Sequence, residues 1–175
     1  MNKRLTKIIY TSMFAALTCI ATMIIKVPTV GTNGYVNIGD SLVLTSAWIL
    51  GNPFGAIAAG LGSGLADLLS GYASYVPGTA IIKFLMAFVA TIIYKLLQKI
   101  NVPKIVSYII SGIVAEVIMV AGYLLYEATL LGYGVGAVAS VPSNIVQGLT
   151  CLVLGVLLIV ALTKIPFINS VIRED

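Results

Sequence analysis

Four predominantly apolar stretches, each close to twenty residues long, constrain this chain more than any other feature. They run from Leu5 to Val27, Thr79 to Leu97, Ile105 to Tyr126 and Pro142 to Leu162. A bilayer core of roughly 30 Å is crossed by about 20 helical residues, so each stretch is long enough to span. Only 9% of the 175 residues are charged, against about 25% in a typical soluble domain. So little charge cannot solvate a water-facing surface, and the bilayer must be the solvent. Two shorter apolar runs, Asp40–Leu50 and Ala56–Ser70, are separated by Gly51-Asn-Pro-Phe-Gly55, a turn signal. The expectation is an all-α membrane protein, a bundle of six transmembrane helices. It forms one integral membrane domain over residues 1–175, with spans at about 5–27, 40–50, 56–70, 79–97, 105–126 and 142–162. The second and third spans are short; they tilt, sit partly inside the bundle, or extend through the loops. No room remains for a soluble catalytic domain.

The N-terminus carries Lys3, Arg4 and Lys7 before an apolar run from Ile8 to Ile25. That run exceeds the 7–15 residues of a signal-peptide core and no A-x-A site closes it, so it reads as the first span. Basic residues then fix the topology. With both termini cytoplasmic, Lys3, Arg4, Lys7, Lys95, Lys99, Lys104, Lys164 and Arg173 fall on one side, Lys26 falls on the other, and Lys83 lies within a span. Eight of ten basic residues inside is the asymmetry that cytoplasmic loops carry, and it selects an even number of spans. The tail Thr163–Asp175 is polar enough to leave the membrane. Charges distributed this way form no patch for nucleic acid.

Several chemistries are excluded. Histidine is absent, which removes Ser/His and Cys/His catalysis, and no His/Cys/carboxylate cluster offers metal ligands. Cys19 and Cys151 lie in different apolar runs outside any CxxC spacing and read as small hydrophobes. Neither a phosphate loop nor a dinucleotide fingerprint occurs. The chain is therefore not expected to be an enzyme, with no catalytic residue, cofactor or metal, and active uptake would draw on an ATPase supplied by other subunits.

Given the topology, the remaining polar groups gather near one depth. Asp40 opens the second span at the outer surface. Asp67 lies about one turn from the outer end of the third, and Lys83 about one turn into the fourth. Glu127 ends the fifth, and Asn144 and Gln147 occupy the first turns of the sixth. A charge near the bilayer centre costs roughly 2.5–3.5 kcal/mol on insertion scales, so such groups face the bundle interior. Glu116, Tyr123 and Glu127 share one helical face, as do Asn144, Gln147 and Cys151. Amide side chains donate and accept, which suits a neutral heterocycle or polyol better than a bare ion. Tyr35, Trp48, Tyr72, Tyr75, Tyr123 and Tyr133 could stack on a flat ring, or serve as interfacial belt residues. Asp67 and Lys83 either form a buried ion pair joining the third and fourth spans or contact a ligand. Asp67, Lys83 and Glu116 could alternatively form a proton relay in a self-sufficient transporter or channel. Glu116 lies too deep to rank as a ligand group. Ala56, Gly60 and Gly64 recur every fourth residue and read as a close-packing face within the bundle. On the first span, Thr11, Ala15 and Cys19, with Ser12 and Ala16 beside them, form a smooth stripe for internal packing or for another membrane protein.

Three segments carry a family resemblance: Gly34–Asp40 (GYVNIGD), Gly51–Tyr72 (GNPFGAIAAGLGSGLADLLSGY) and Pro77–Lys83 (PGTAIIK). They resemble the substrate-binding S component of energy-coupling factor (ECF) transporters, which take up vitamins in bacteria and archaea. Met119–Glu127 and Val141–Gly148 are similar to the branch with riboflavin and hydroxymethylpyrimidine or pyridoxine carriers. The resemblance implies a six-helix fold in the plasma membrane of a bacterium or archaeon and an outward-facing pocket for a water-soluble vitamin. It also implies a complex with a transmembrane coupling subunit and two ATP-binding subunits. The Thr29–Gly39 loop would close over the ligand. Tyr35, Asn37, Asp40, Tyr75, Lys83, Tyr123, Glu127, Asn144 and Gln147 are the expected ligand-binding residues. The stripe of Thr11, Ala15, Cys19, Ser12 and Ala16 would dock the coupling subunit.

Overall fold

The computed structural model describes residues 3–29 and 31–165. The polar tail beyond Ile165, with Arg173, lies outside the described residues, as do the side chains of Lys3 and Arg4. Six α-helices account for most of the described chain: α1 (Lys3–Ile24), α2 (Asp40–Leu50), α3 (Phe54–Leu69), α4 (Val76–Lys99), α5 (Lys104–Thr129) and α6 (Val141–Leu162). Four of these, α1, α4, α5 and α6, are long and apolar enough to cross a membrane. Their outward faces carry large aliphatic side chains such as Ile81, Ile113, Val117, Val146, Leu149 and Leu157. That is the surface a lipid solvent requires, and the protein is a multi-pass membrane protein.

The two short helices solve their length problem differently. Eleven residues of α2 rise about 16 Å, half a bilayer core, and ten of the eleven are buried. This helix is the axis of the bundle, touching α1, α3, α4, α5 and α6. The sixteen residues of α3 pack between α1 and α4. Its glycines set the separations. An added Cβ at Gly60 would stand 2.8 Å from the Ala80 carbonyl, and one at Gly64 would stand 3.3 Å from the Ala80 methyl. The Ala56–Gly60–Gly64 face is thus a packing face, with Gly60 and Gly64 on α4. On another side of α3, Gly62 lies against the Ala15 carbonyl of α1.

Two expectations change. The first span ends at Ile24, three residues before the expected Val27, because Lys26–Pro28 forms a strand (β1) paired antiparallel with Tyr35–Asn37 (β2). Val27 precedes a proline and is therefore biased towards extended backbone; with β-branched neighbours it favours a strand over another helical turn. The Thr29–Gly39 loop is thus largely the tip and second strand of a small hairpin, and the fold is all-α apart from it. Secondly, α5 runs past Tyr126 to Thr129, so Glu127 sits inside its last turn. After a turn, Gly134–Ser140 forms a 3₁₀ helix that leads directly into α6.

Candidate ligand-binding site

The hairpin lies at the end of the bundle where α1, α3 and α5 finish and α2, α4 and α6 begin. Lys26 donates to Ser70 Oγ at the end of α3 (3.0 Å), and the Asn33 amide donates to the Tyr133 hydroxyl beyond α5 (3.2 Å). Beneath the hairpin is an enclosed cavity of about 20 Å³, room for roughly one water. Eight of the nine expected ligand-binding residues line it: Tyr35 and Asn37 from β2, Tyr75 and Lys83 from the start of α4, Tyr123 and Glu127 from α5, and Asn144 and Gln147 from α6. The ninth, Asp40, stands directly behind this wall.

Asp40 is fully buried, yet its charge is balanced. Lys83 Nζ lies 2.6 Å from Asp40 Oδ1, a buried ion pair. Gln147 donates from Nε2 to Asp40 Oδ2 (2.6 Å) and accepts the Asn37 backbone N–H at Oε1 (2.7 Å). One amide therefore ties α2 to α6 and α6 to the hairpin. Cys151, one turn further along α6, donates weakly to the Asn37 carbonyl (3.4 Å). The Lys83 ammonium also lies 5.1 Å from the Tyr123 ring centroid, a cation–π geometry. Across the cavity Glu127 accepts from Tyr75 at Oε1 (3.0 Å) and from Ser140 at Oε2 (2.5 Å), joining α5 to the starts of α4 and α6. Burial, followed by the neighbouring Glu127 charge, pushes the Tyr75 phenol above its ordinary range; Tyr35 is raised in the same way by burial and its bond to Asp67. Both stay protonated donors at neutral pH.

A family model for the ECF-type riboflavin transporter S component matches residues 2–164. The chain belongs to this family. The S component is the substrate-binding subunit of an ECF transporter, a transport protein rather than an enzyme. A curated relative from Pyrococcus woesei, described as an uncharacterized protein in a gap 3′ region, is 31% identical over 136 residues, 78% of this chain and 87% of the relative. A solved structure reported as the structure and mechanism of the S component of a bacterial ECF transporter superposes with a TM-score of 0.68 at 21% identity. The match covers 93% of this chain and 98% of that one, and it shows the shared fold.

Several expectations for this S component need correction. Lys83 pairs with Asp40 and not with Asp67, which instead accepts from the Tyr35 hydroxyl (2.6 Å). Sequence order misled here, because α2 runs through the centre of the bundle and brings Asp40 under α4. Glu116 has no hydrogen-bond partner for its buried carboxyl and lines an apolar groove between α5 and α6, while its charge interacts with those of Lys83 and Asp40. Trp48 is remote from the cavity. It packs on Tyr108 (centroids 5.0 Å apart) and donates to Ser111 (3.0 Å). Tyr72 covers Tyr35 from outside (4.5 Å) without lining the cavity, and Tyr133 holds the hairpin tip. On α1, Thr11, Ala15 and Cys19 turn into the bundle, whereas Ser12 and Ala16 are exposed. The expected docking stripe is thus split between an inward and an outward face.

The cavity is also lined by Asp67, which the sequence reading left between an ion pair and a ligand contact, and by residues that reading did not single out: Thr22, Thr29, Gly34, Ser63 and Thr79. Thr79 bonds the Tyr123 hydroxyl (2.9 Å). Helical spacing could have found some of them. Thr79 falls midway between Tyr75 and Lys83, and Ser63 lies one turn before Asp67.

Proposed function

We propose that this S component captures a water-soluble vitamin or precursor in the cavity beneath the hairpin, with a hydroxymethylpyrimidine- or pyridoxine-like compound favoured and riboflavin next. It forms a single domain crossing the bacterial or archaeal plasma membrane six times, with both termini cytoplasmic and the hairpin outward. The observation that carries the reading is the convergence of eight expected polar and aromatic side chains, from four segments distant in sequence, on one enclosed space. Cavity chemistry supports the ligand class. Its only cation, Lys83, is committed to Asp40, while the carboxylates of Asp67 and Glu127 line the walls. A neutral ring bearing donors suits that balance better than a phosphorylated compound. A cavity of about 20 Å³ admits about one water, so binding a vitamin requires it to open. A single-ring ligand demands less opening than the three fused rings of riboflavin, and the hairpin, held by Lys26, Tyr35, the Asn33–Tyr133 bond and the Asn37 bonds to Gln147 and Cys151, is the part to move.

Transport then depends on a transmembrane coupling subunit and two ATP-binding subunits. The exposed Ser12 and Ala16 face of α1, small and smooth, is the surface for the coupling subunit. Thermal unfolding of the purified chain with riboflavin, hydroxymethylpyrimidine and pyridoxine tests the reading. Ligand at 100 times Kd adds about 2.7 kcal/mol, so a several-degree rise is expected for at least one vitamin. No shift with any of them contradicts it.

A further inference from the structure

We propose that Thr22 of α1 and Ser63 of α3 form a hydroxyl wall that binds an alcohol group of the transported molecule. This rests on the vitamin reading of the cavity and adds contacts from two helices that the reading leaves unused.

Hydroxyls on apolar helices ordinarily close their valence by donating to a carbonyl one turn back. This chain follows that habit repeatedly: Thr11 donates to the Lys7 carbonyl (2.8 Å), Thr45 to Ser41 (2.6 Å), Ser46 to Val43 (2.8 Å) and Thr91 to Ala87 (2.9 Å). Among the described residues three buried hydroxyls bond neither a carbonyl nor any other group. Thr18, Thr22 and Ser63 have no partner for their side-chain oxygens. Thr22 is 3% and Ser63 1% exposed, and both line the cavity; Thr18, one turn deeper on α1, does not. Facing elements approach them without offering a bond. Gly39 leaves no room for a Cβ beside the Thr22 hydroxyl, and a Cβ at Gly62 would stand 2.9 Å from Thr18 Cβ. Buried polar groups left unsatisfied are rare in folded proteins, and two of these three face the one space a ligand would fill.

The chemistry of the missing partner follows from its surroundings. Hydroxyls donate and accept, while Asp67 on the same cavity wall accepts only and already holds one Tyr35 donor. A partner that accepts from one hydroxyl and donates onward to the other or to Asp67 closes both capacities at once. A carbonyl can only accept and an ammonium can only donate. An alcohol does both, so the wall fits a hydroxymethyl or sugar-alcohol arm.

The test titrates the purified full-length chain with pyridoxine and 4-deoxypyridoxine, with hydroxymethylpyrimidine and its methyl analogue, and with riboflavin and lumiflavin. Parent, Thr22→Val, Thr22→Ser, Ser63→Ala and Thr45→Val proteins are compared by calorimetric Kd and ligand-free Tm. For the vitamin that binds, the parent should favour the alcohol form over its analogue by about tenfold or more. Thr22→Val and Ser63→Ala should each weaken the alcohol form by about 5- to 30-fold, leave the analogue within about twofold, and leave ligand-free Tm unchanged or higher. Thr22→Ser, which keeps the oxygen, should bind like the parent. Thr45→Val should lower Tm and leave the preference intact. Equal weakening of both ligands, no weakening, no parental preference, or a lower ligand-free Tm in Thr22→Val would overturn the wall while the vitamin reading stands. A parent that binds none of the compounds overturns both.

Discussion

The two ends of α2 use the same kinds of residue to opposite effect. Near its C-terminal end Trp48 packs on Tyr108, which stacks on Tyr94 (4.9 Å), while Trp48 donates to Ser111 and Ser111 to the Tyr108 carbonyl. Tyr94 donates to the Tyr108 hydroxyl (3.4 Å). No buried polar side-chain atom in that cluster lacks a partner, so it is a finished core. At the other end, Asp40, Lys83, Gln147, Tyr75 and Glu127 are also bonded to one another, but the network stops short of closure. Thr22 and Ser63 remain open beside Asn144, which lines the same cavity. Residue type does not separate a binding site from a polar core; open hydrogen-bonding groups converging from different helices on one cavity do.

The largest effect expected from breaking this contrast is at Lys83. Lys83→Met strands the fully buried Asp40 charge, and losing one partner of a buried pair costs about 3–5 kcal/mol. Thermal unfolding of the ligand-free protein should fall accordingly, and a loss under about 1 kcal/mol would mean that the pair is not ionised. Next is Asn144→Ala, which removes an amide that lines the cavity. Vitamin Kd should weaken by about tenfold or more with ligand-free Tm nearly unchanged. The reverse pattern would make Asn144 a packing residue. Trp48→Phe should do the opposite, lowering stability by about 1–2 kcal/mol through the lost Ser111 bond and ring volume while Kd stays within about twofold. A change in Kd there would mean that the two ends of α2 are coupled. The smallest effect is expected for Tyr133→Phe, which takes one acceptor from the exposed hairpin tip. About 0.5–1 kcal/mol is at stake, visible as a faster ligand off-rate by stopped-flow.

Those contrasts also explain what was legible beforehand. Long apolar runs encode α1, α4, α5 and α6 because a lipid-facing helix must be apolar along its length. The cavity-lining polar residues stood out because each is costly in such a helix: Lys83, Gln147 and Glu127 have no cheap place to be. What was hidden depended on three-dimensional neighbours. The Asp40–Lys83 pair required knowing that α2 is central, and the β1–β2 hairpin depends on a strand partner seven residues past its own end. Thr22 and Ser63 resemble packing residues until their missing carbonyl bonds are seen. Trp48 and Thr11, Ala15 and Cys19 could be read two ways for the converse reason: aromatic or small side chains serve interiors and interfaces equally well, and only the direction they point decides.

The most direct measurement is the structure of this S component bound to the vitamin that raises its Tm. Ligand density is expected beneath the hairpin, within hydrogen-bonding distance of Asn144 and in contact with Tyr75 and Gln147, with the cavity enlarged by displacement of the hairpin. Density in the α5–α6 groove beside Glu116, or at the Trp48 end of α2, would contradict the account.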